Sequence, residues 1–226
     1  VSCLGRCDRA IAACANRFAT ATGSPGTDVV DHYYHTRTAD YLTAVVDGLR
    51  SGKEPTPPDL DAKAPQHCGP WLIDVYNGKP TYAAAKKVLR DLRTADDPAD
   101  ARSRLDVIPK LELAGLRGMG GAGAPAAKKW KDVQRAPGTE KYIVCNADES
   151  EPATFKDREL MLRAPWLIIE GIIIAGLAIG ATRGYVYLRH EYPEQAEALR
   201  KAIALAEKEG VAGLNVGKTG LDFPVS

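Results

Sequence analysis

The chain lacks an excess of charge of either sign: 30 Lys and Arg face 29 Asp and Glu, for a net charge of +1. A balance this even leaves no electrostatic footprint for nucleic acid or for an anionic membrane surface. A long hydrophobic run is also missing. The longest, "WLIIEGIIIAGLAIGA" from Trp166 to Ala181, has sixteen residues and contains Glu170, short of the ~20 apolar residues a bilayer requires. It predicts a buried helix and no direct membrane span. No basic stretch precedes an apolar run near the start, so there is no signal-peptide pattern. The five cysteines, Cys3, Cys7, Cys14, Cys68 and Cys145, are an odd number without a secretory signal. That argues against a disulfide framework and for a reducing, cytoplasmic location. There is no internal repeat, and both ends, beginning at Val1 and stopping at "LDFPVS", read as cut from a longer polypeptide.

What is present is ordinary for a folded protein. A hydrophobic content of 45% with 26% charged residues in 226 allows one large or two modest domains. Three zones are expected. Residues 1–52 open with a cysteine pair and close on a helix, in which Tyr41, Leu42, Val45, Val46 and Leu49 keep helical spacing before a C-terminal Gly52. Residues 53–108 begin with "KEPTPPDLDAKAPQHCGP", whose five prolines mark a linker or surface crossing. Helices are expected there at "TYAAAKKVLRDLR" and "PADARSRLDVIPKLELAGL". From 109 to 226 helix and strand alternate: a helix with Pro125 in its first turn, a strand at "EKYIVCNA", the buried helix, a strand at "GYVYLRHE", and an amphipathic helix ending at Gly210. Strands separated by helices predict an α/β layer with parallel pairing.

Three features can carry chemistry. "GLRGMGGAGAP" sets Gly118, Gly120 and Gly123 at G-x-G-x-x-G spacing with Gly121 between them. A dinucleotide fingerprint needs an apolar strand just before the glycines, and "SRLDVIPKLELAGL" looks helical instead. A plain connecting loop is a second reading. A third is a loop whose bare backbone N–H groups, at a helix N-terminus, receive a phosphate or a flat ring, with Lys129 adding charge. The second feature, "CNADESEPATFKDRE", places Asp148, Glu149, Glu151 and Asp157 directly after a strand. Ligands bind at strand carboxyl ends in α/β sheets, and Asn146 with Asp148 offers donors and acceptors to a heterocycle or a ribityl chain. A solvated acidic loop is the alternative. The third feature is "CLGRC": Cys3 and Cys7 can hold one iron of a 2Fe-2S cluster, which needs four cysteines. Zinc ligation and inert buried thiols are the other readings.

Together, "GLRGMGGAGAPAAKKW", "YIVCNADESEPATFKDRELM", the buried helix and "YVYLRHEYPE" resemble the family of FMN- and NADH-binding subunits of respiratory complex I. The likeness runs from about 112 to 225, in order and spacing. It extends to the diaphorase subunits of NAD-dependent formate dehydrogenases and NAD-reducing hydrogenases. "SCLGRCDRA" is similar to the second cysteine pair of a thioredoxin-like 2Fe-2S ferredoxin module, a fusion that favours the formate dehydrogenase layout. The resemblance implies an α/β fold: part of that module, then the N-terminal part of a Rossmann-like FMN-binding domain. It implies FMN over the glycine loop, NADH against its open face, and hydride exchange between NAD(H) and FMN. Single electrons would pass to or from iron–sulfur clusters, with a catalytic subunit of formate dehydrogenase or hydrogenase type and a small 2Fe-2S ferredoxin-like subunit as partners. By position, Gly118, Gly120, Gly121 and Gly123 line the flavin and nicotinamide, and Lys129 reaches the FMN phosphate or ribityl. Asn146, Asp148 and Glu149 contact the flavin and its chain, and Glu151 lies near the NADH ribose; Cys3 and Cys7 are the metal ligands. Two positions depart from the family pattern, Ala124 in place of an aromatic residue and Met119 in place of an arginine. The 4Fe-4S cysteines, the first ferredoxin cysteine pair and a Gly-Glu-Glu segment are not among these 226 residues. A degenerate assembly subunit without NADH binding is the alternative that Ala124 raises.

Overall fold

The computed structural model describes residues 13–18, 29–34, 38–53, 73–118, 122–152 and 154–226. They fall into two units. The first holds residues up to 70 and the segment 149–156; the second holds 71–148 and 157–226.

In the first unit β1 (Ala13–Phe18) pairs antiparallel with β2 (Val29–Tyr34), Ala13 opposite Tyr34. These strands lie where the sequence suggests only a cysteine-bearing zone. The helix expected next is α1 (Ala39–Arg50), capped by the Thr38 hydroxyl accepting from the Tyr41 amide at 3.3 Å. Gly52, at φ +70, takes the left-handed position that ends the helix, and the amides of Gly52 and Lys53 bond back to Leu49 and Gly48. A residue with a Cβ resists that conformation. Cys3, Cys7 and Cys68 lie outside the described residues.

The second unit is an α/β layer. Strands β3 (Tyr142–Ala147) and β4 (Arg183–Leu188) pair in parallel, Tyr142 beside Arg183 through Ala147 beside Leu188. Helices α6 (Lys156–Arg163) and α7 (Pro165–Ile179) cross between them. After α8 (Pro193–Lys208) the chain returns beside β4, where Gly184 N donates to Pro224 O at 3.0 Å and Val186 N to Ser226 O at 2.7 Å. The "LDFPVS" stretch thus lies along β4 as an isolated parallel bridge, Gly184 opposite Val225. Inward residues alternate with outward ones as the pleat dictates. Ile143, Cys145, Ala147, Gly184, Val186 and Leu188 face α7, while Tyr142, Val144, Asn146, Tyr185 and Tyr187 face out.

Helix α7 is the centre of the core. Ile169, Ile173 and Leu177 are wholly buried, and α2 (Ala83–Arg93), α5 (Ala126–Arg135) and α8 pack around it. Its single charge has partners. The Glu170 carboxylate accepts from Tyr76 Oη at 2.8 and 2.9 Å and from Ala85 N at 3.0 Å. A buried carboxylate without such donors would cost several kcal/mol. Asp74 completes the fastening, accepting from Trp166 Nε1 at 3.0 Å and from the amides of Tyr76 and Gly78. No single described helix is long and apolar enough to cross a membrane.

The helix expected over "PADARSRLDVIPKLELAGL" is broken. It forms α3 (Pro98–Ala101), a 3-10 turn at Arg102–Arg104 and α4 (Val107–Leu113). Pro109 explains the break. Within one continuous helix its ring would meet the carbonyl of Leu105, whereas at the third position of α4 it needs no intrahelical N–H partner. Leu105 turns to an extended ψ of 138° instead.

Candidate functional site

The glycine segment joins α4 to α5 as a closed turn. Gly118 N donates to Ala124 O at 2.9 Å, Ala126 N to Leu116 O at 2.9 Å, and Arg117 Nη1 to Gly123 O at 2.9 Å. Gly123 sits at φ +60, which only glycine adopts without strain. Met119, Gly120 and Gly121 lie outside the described residues. Pro125 precedes the first residue of α5 and acts as its N-terminal cap, one position earlier than the first turn that the sequence suggests. As the sequence also indicates, the segment before the glycines is helical, so the turn is entered from a helix and not from a strand.

Lys129 extends from the first turn of α5. Its neighbours Lys128 and Lys131 have acidic partners, Asp132 at 3.4 Å and Glu112 at 3.9 Å. Among the described residues Lys129 has none. It stands beside a cavity of about 840 Å³ between α4, α5, α7 and β3, whose walls include Leu116, Gly118, Ala124, Trp130, Ile168 and Gly171. The volume lies within the range of small-molecule and cofactor sites, and the lining has their usual character, mostly apolar with few polar groups. Cys145 reaches the same cavity from β3, and burial, with the charge of Asp157, pushes its thiol above the ordinary cysteine range. Sequence reasoning missed this cavity because helices distant in the chain form its walls.

Asn146 and Asp148 do not line it; they follow Cys145 at the carboxyl end of β3. The strand stops at Ala147, one residue before Asp148. There Asn146 Oδ1 accepts from Asp148 N at 3.2 Å, the local bond by which Asn turns a chain. Glu149 has a positive φ of 43°, uncommon for a non-glycine residue and costly to hold. Glu149 and Glu151 belong to the other unit. Among the described residues no group of three His, Cys, Asp or Glu is placed to hold a metal.

Beyond β4 lies a group that sequence reading did not single out. Arg189 Nη2 meets Glu191 Oε1 at 2.7 Å, with side chains 6% and 12% exposed. The guanidinium groups of Arg158 and Arg189 lie 5.4 and 5.6 Å from the centre of the Tyr192 ring. The available signal was the charge pair in "LRHEYP", next to a strand's carboxyl end.

A glycine turn at a helix N-terminus, a lysine without an acidic partner among the described residues, and an apolar cavity beside both are features that nucleotide-cofactor-binding α/β domains present. Comparison with known proteins supplies the particular family. Residues 111–225 match the Nuo51 FMN-binding domain, and the chain belongs to that family. It is 49% identical over 120 residues to a subunit of the NADH-quinone oxidoreductase of Aquifex aeolicus, covering 53% of this chain and 28% of that protein. It is 38% identical over 165 residues to the NADP-reducing hydrogenase subunit HndC of Solidesulfovibrio fructosivorans, covering 72% and 31%. A crystal structure of an NAD+-reducing [NiFe]-hydrogenase in the H2-reduced state superposes with a TM-score of 0.64 at 26% identity, over 99% of this chain and 34% of that one. The chain thus spans about a third of the length of the relatives it matches. The α/β class expected from the alternating pattern agrees with these relatives, as does the flavin family.

The described residues fit FMN. Apolar walls suit a flat ring system, and Lys129 sets a cation at the edge of the cavity, where a phosphate would need one.

Proposed function

We propose that this chain is the flavin-carrying part of an electron-transfer subunit that exchanges a hydride with NAD(H). The observation that carries the reading is the match of residues 111–225 to the FMN-binding family, with the glycine turn and Lys129 set at one cavity. Lys129 holds the phosphate, and Gly118, Gly120, Gly121 and Gly123 let the ring system approach the backbone. Asn146, Asp148 and Glu149 hydrogen-bond the ring edge and ribityl chain, and Glu151 orients the NADH ribose. Bound FMN supplies the redox chemistry, taking electrons as a pair and returning them singly. The protein's share is orientation and exclusion of water from the apolar cavity.

The domain plan goes with this reading. Residues 1–52 are part of a 2Fe-2S module in which Cys3 and Cys7 ligate metal, 53–108 connect, and 109–226 bind the cofactors. Iron–sulfur clusters and a catalytic subunit complete the path. Formate is the substrate suggested by the sequence layout. Hydrogen is the second reading, supported by the hydrogenase subunit at 38% identity and the hydrogenase structure at 26%.

The test is to load the 226-residue chain with FMN and titrate NADH without oxygen. Stoichiometric flavin uptake, with bleaching of its visible band, is the expected result. Full uptake with no bleaching would favour the degenerate assembly subunit that Ala124 suggests, and no uptake would refute the flavin role.

A further inference from the structure

We propose that Gly171 is the floor of the cavity between α4, α5, α7 and β3, kept without a side chain so that a flat ligand ring can lie against the α7 backbone. The inference rests on the flavin reading for the identity of that ring, the isoalloxazine of FMN, and on the fold alone for the open floor.

α7 contains Gly171 and Gly176, and Gly180 follows its last residue. Glycine is the poorest helix former after proline, so each of these positions calls for a reason. Two have one within the chain. A Cβ at Gly176 would meet the Phe223 ring at 2.1 Å, and Gly180 takes φ +78 where the helix ends. Gly171 has neither. It lies inside the regular helix without a positive φ, and a Cβ built there would meet no packed neighbour within 4 Å among the described residues. Alanine would fit and would favour the helix. The chain's own packing does not ask for glycine here.

The surroundings supply the reason. Gly171 is the one exposed residue of α7, every other being buried or half-buried. Its neighbours three and four positions away, on the same helix face, are Leu167, Ile168, Ile174 and Ala175. All four line the cavity together with Gly171, and Trp130 lines it from α5. The centre of this apolar face is therefore bare peptide backbone, open to a space of about 840 Å³. Glycine serves where a ligand must approach the main chain closely. A ring laid on this face gains apolar contact from the four flanking side chains, with nothing between it and the helix. A methyl or larger group at Gly171 would occupy the space that the ring needs.

The experiment pairs the stability of the flavin-free 226-residue chain with its FMN dissociation constant. Gly171→Ala is expected to raise the melting temperature by about 2–4 °C, the helix-propensity gain in a chain of this size. The same change is expected to weaken FMN binding about tenfold, the scale of overfilling a close contact, and Gly171→Leu to weaken it further. Gly48→Ala, in α1, where a Cβ also meets nothing within 4 Å, should leave FMN affinity unchanged. A lower melting temperature in flavin-free Gly171→Ala would overturn the proposal, because the chain would then need the glycine for its own packing. Unchanged FMN affinity in Gly171→Leu would overturn it too. If wild type takes up no FMN, the flavin reading falls, and anilinonaphthalene sulfonate, an aromatic anion, tests the floor by itself. Its fluorescence enhancement by wild type should then be lost in Gly171→Leu; an equal response in both proteins, or none in either, would overturn the floor as well.

Discussion

Replacing Gly176 by alanine probes how α7 is seated, and its cost can be worked from the geometry. A Cβ built at Gly176 would lie 2.1 and 2.2 Å from two carbons of the Phe223 ring. Carbon atoms in contact ordinarily sit ~3.5–4.0 Å apart, so the ring or the helix must retreat by about 1.5 Å. Phe223 is fully buried and its backbone is bonded to Gly213 in both directions, at 2.7 and 2.9 Å. It has little freedom to move. Helix propensity favours the change by about 1 kcal/mol, and overpacking of a tight core opposes it by about 3 kcal/mol. The net is a loss of about 2 kcal/mol, or about 4–8 °C in melting temperature for a chain of this size. Thermal unfolding followed by circular dichroism measures it. Phe223→Leu, destabilising alone, should cost less in the alanine background, with a coupling above about 0.5 kcal/mol. A melting temperature unchanged or raised by Gly176→Ala would refute the reasoning, because it would show that Phe223 does not fill the space the glycine leaves.

Other outcomes follow from the same contacts. Lys129→Ala should weaken FMN by about tenfold, as loss of a charge-assisted bond does, and leave riboflavin, which has no phosphate, unchanged in fluorescence titrations. Tyr76→Phe removes a hydroxyl that donates to Glu170 and accepts from Ala83 N at 2.8 Å; a loss of about 1–3 kcal/mol is expected, read from the urea midpoint. Burial would raise the Asp74 carboxyl, but bonds from Trp166 and the amides of Gly78 and Tyr76 outweigh it and hold it below the ordinary aspartate value. A depressed carboxylate stabilises above its unfolded pKa of about 3.9 and loses that contribution as pH falls through the folded value. Acid titration of stability should therefore show a decline below about pH 4 that Asp74→Asn lacks.

The sequence was most legible where hydrophobic period and end signals agreed. The stripe through Leu199, Ala202 and Ala206 gave α8, and the uninterrupted run from Trp166 gave α7 as a buried helix. "EKYIVCNA" and "GYVYLRHE" gave the two parallel strands. Legibility fell where one residue outweighed the pattern. Pro109 split an otherwise continuous helical stretch, and Asn146 ended β3 by bonding the amide of Asp148. The bridge at Phe223–Ser226 carried no period at all; it comes from the bonds that segment makes to Gly184 and Val186. Gly176 and Gly180, alike as a four-residue pair in sequence, have different roles. The first leaves room for Phe223, and the second ends α7 at φ +78.

The candidate site divides in the same way. Glycines and carboxylates belong to short local segments, and those segments carried the family resemblance. The cavity depends instead on α7 bringing Ile168 and Gly171 opposite Leu116 and Trp130, partners about forty to fifty residues away in sequence. No local pattern encodes a separation of that kind. Glu170 shows why the long-range part still constrains function. In the sequence it was the charge that interrupted an apolar run. In the fold it fastens α7 to Tyr76 and Ala85, on the same helix that walls the cavity through Ile168, Gly171 and Ile172. A change at Glu170 that leaves the glycine turn untouched should therefore alter the cavity's shape, and flavin affinity with it. The cavity depends on a polar contact that neither the glycine segment nor the carboxylate segment contains.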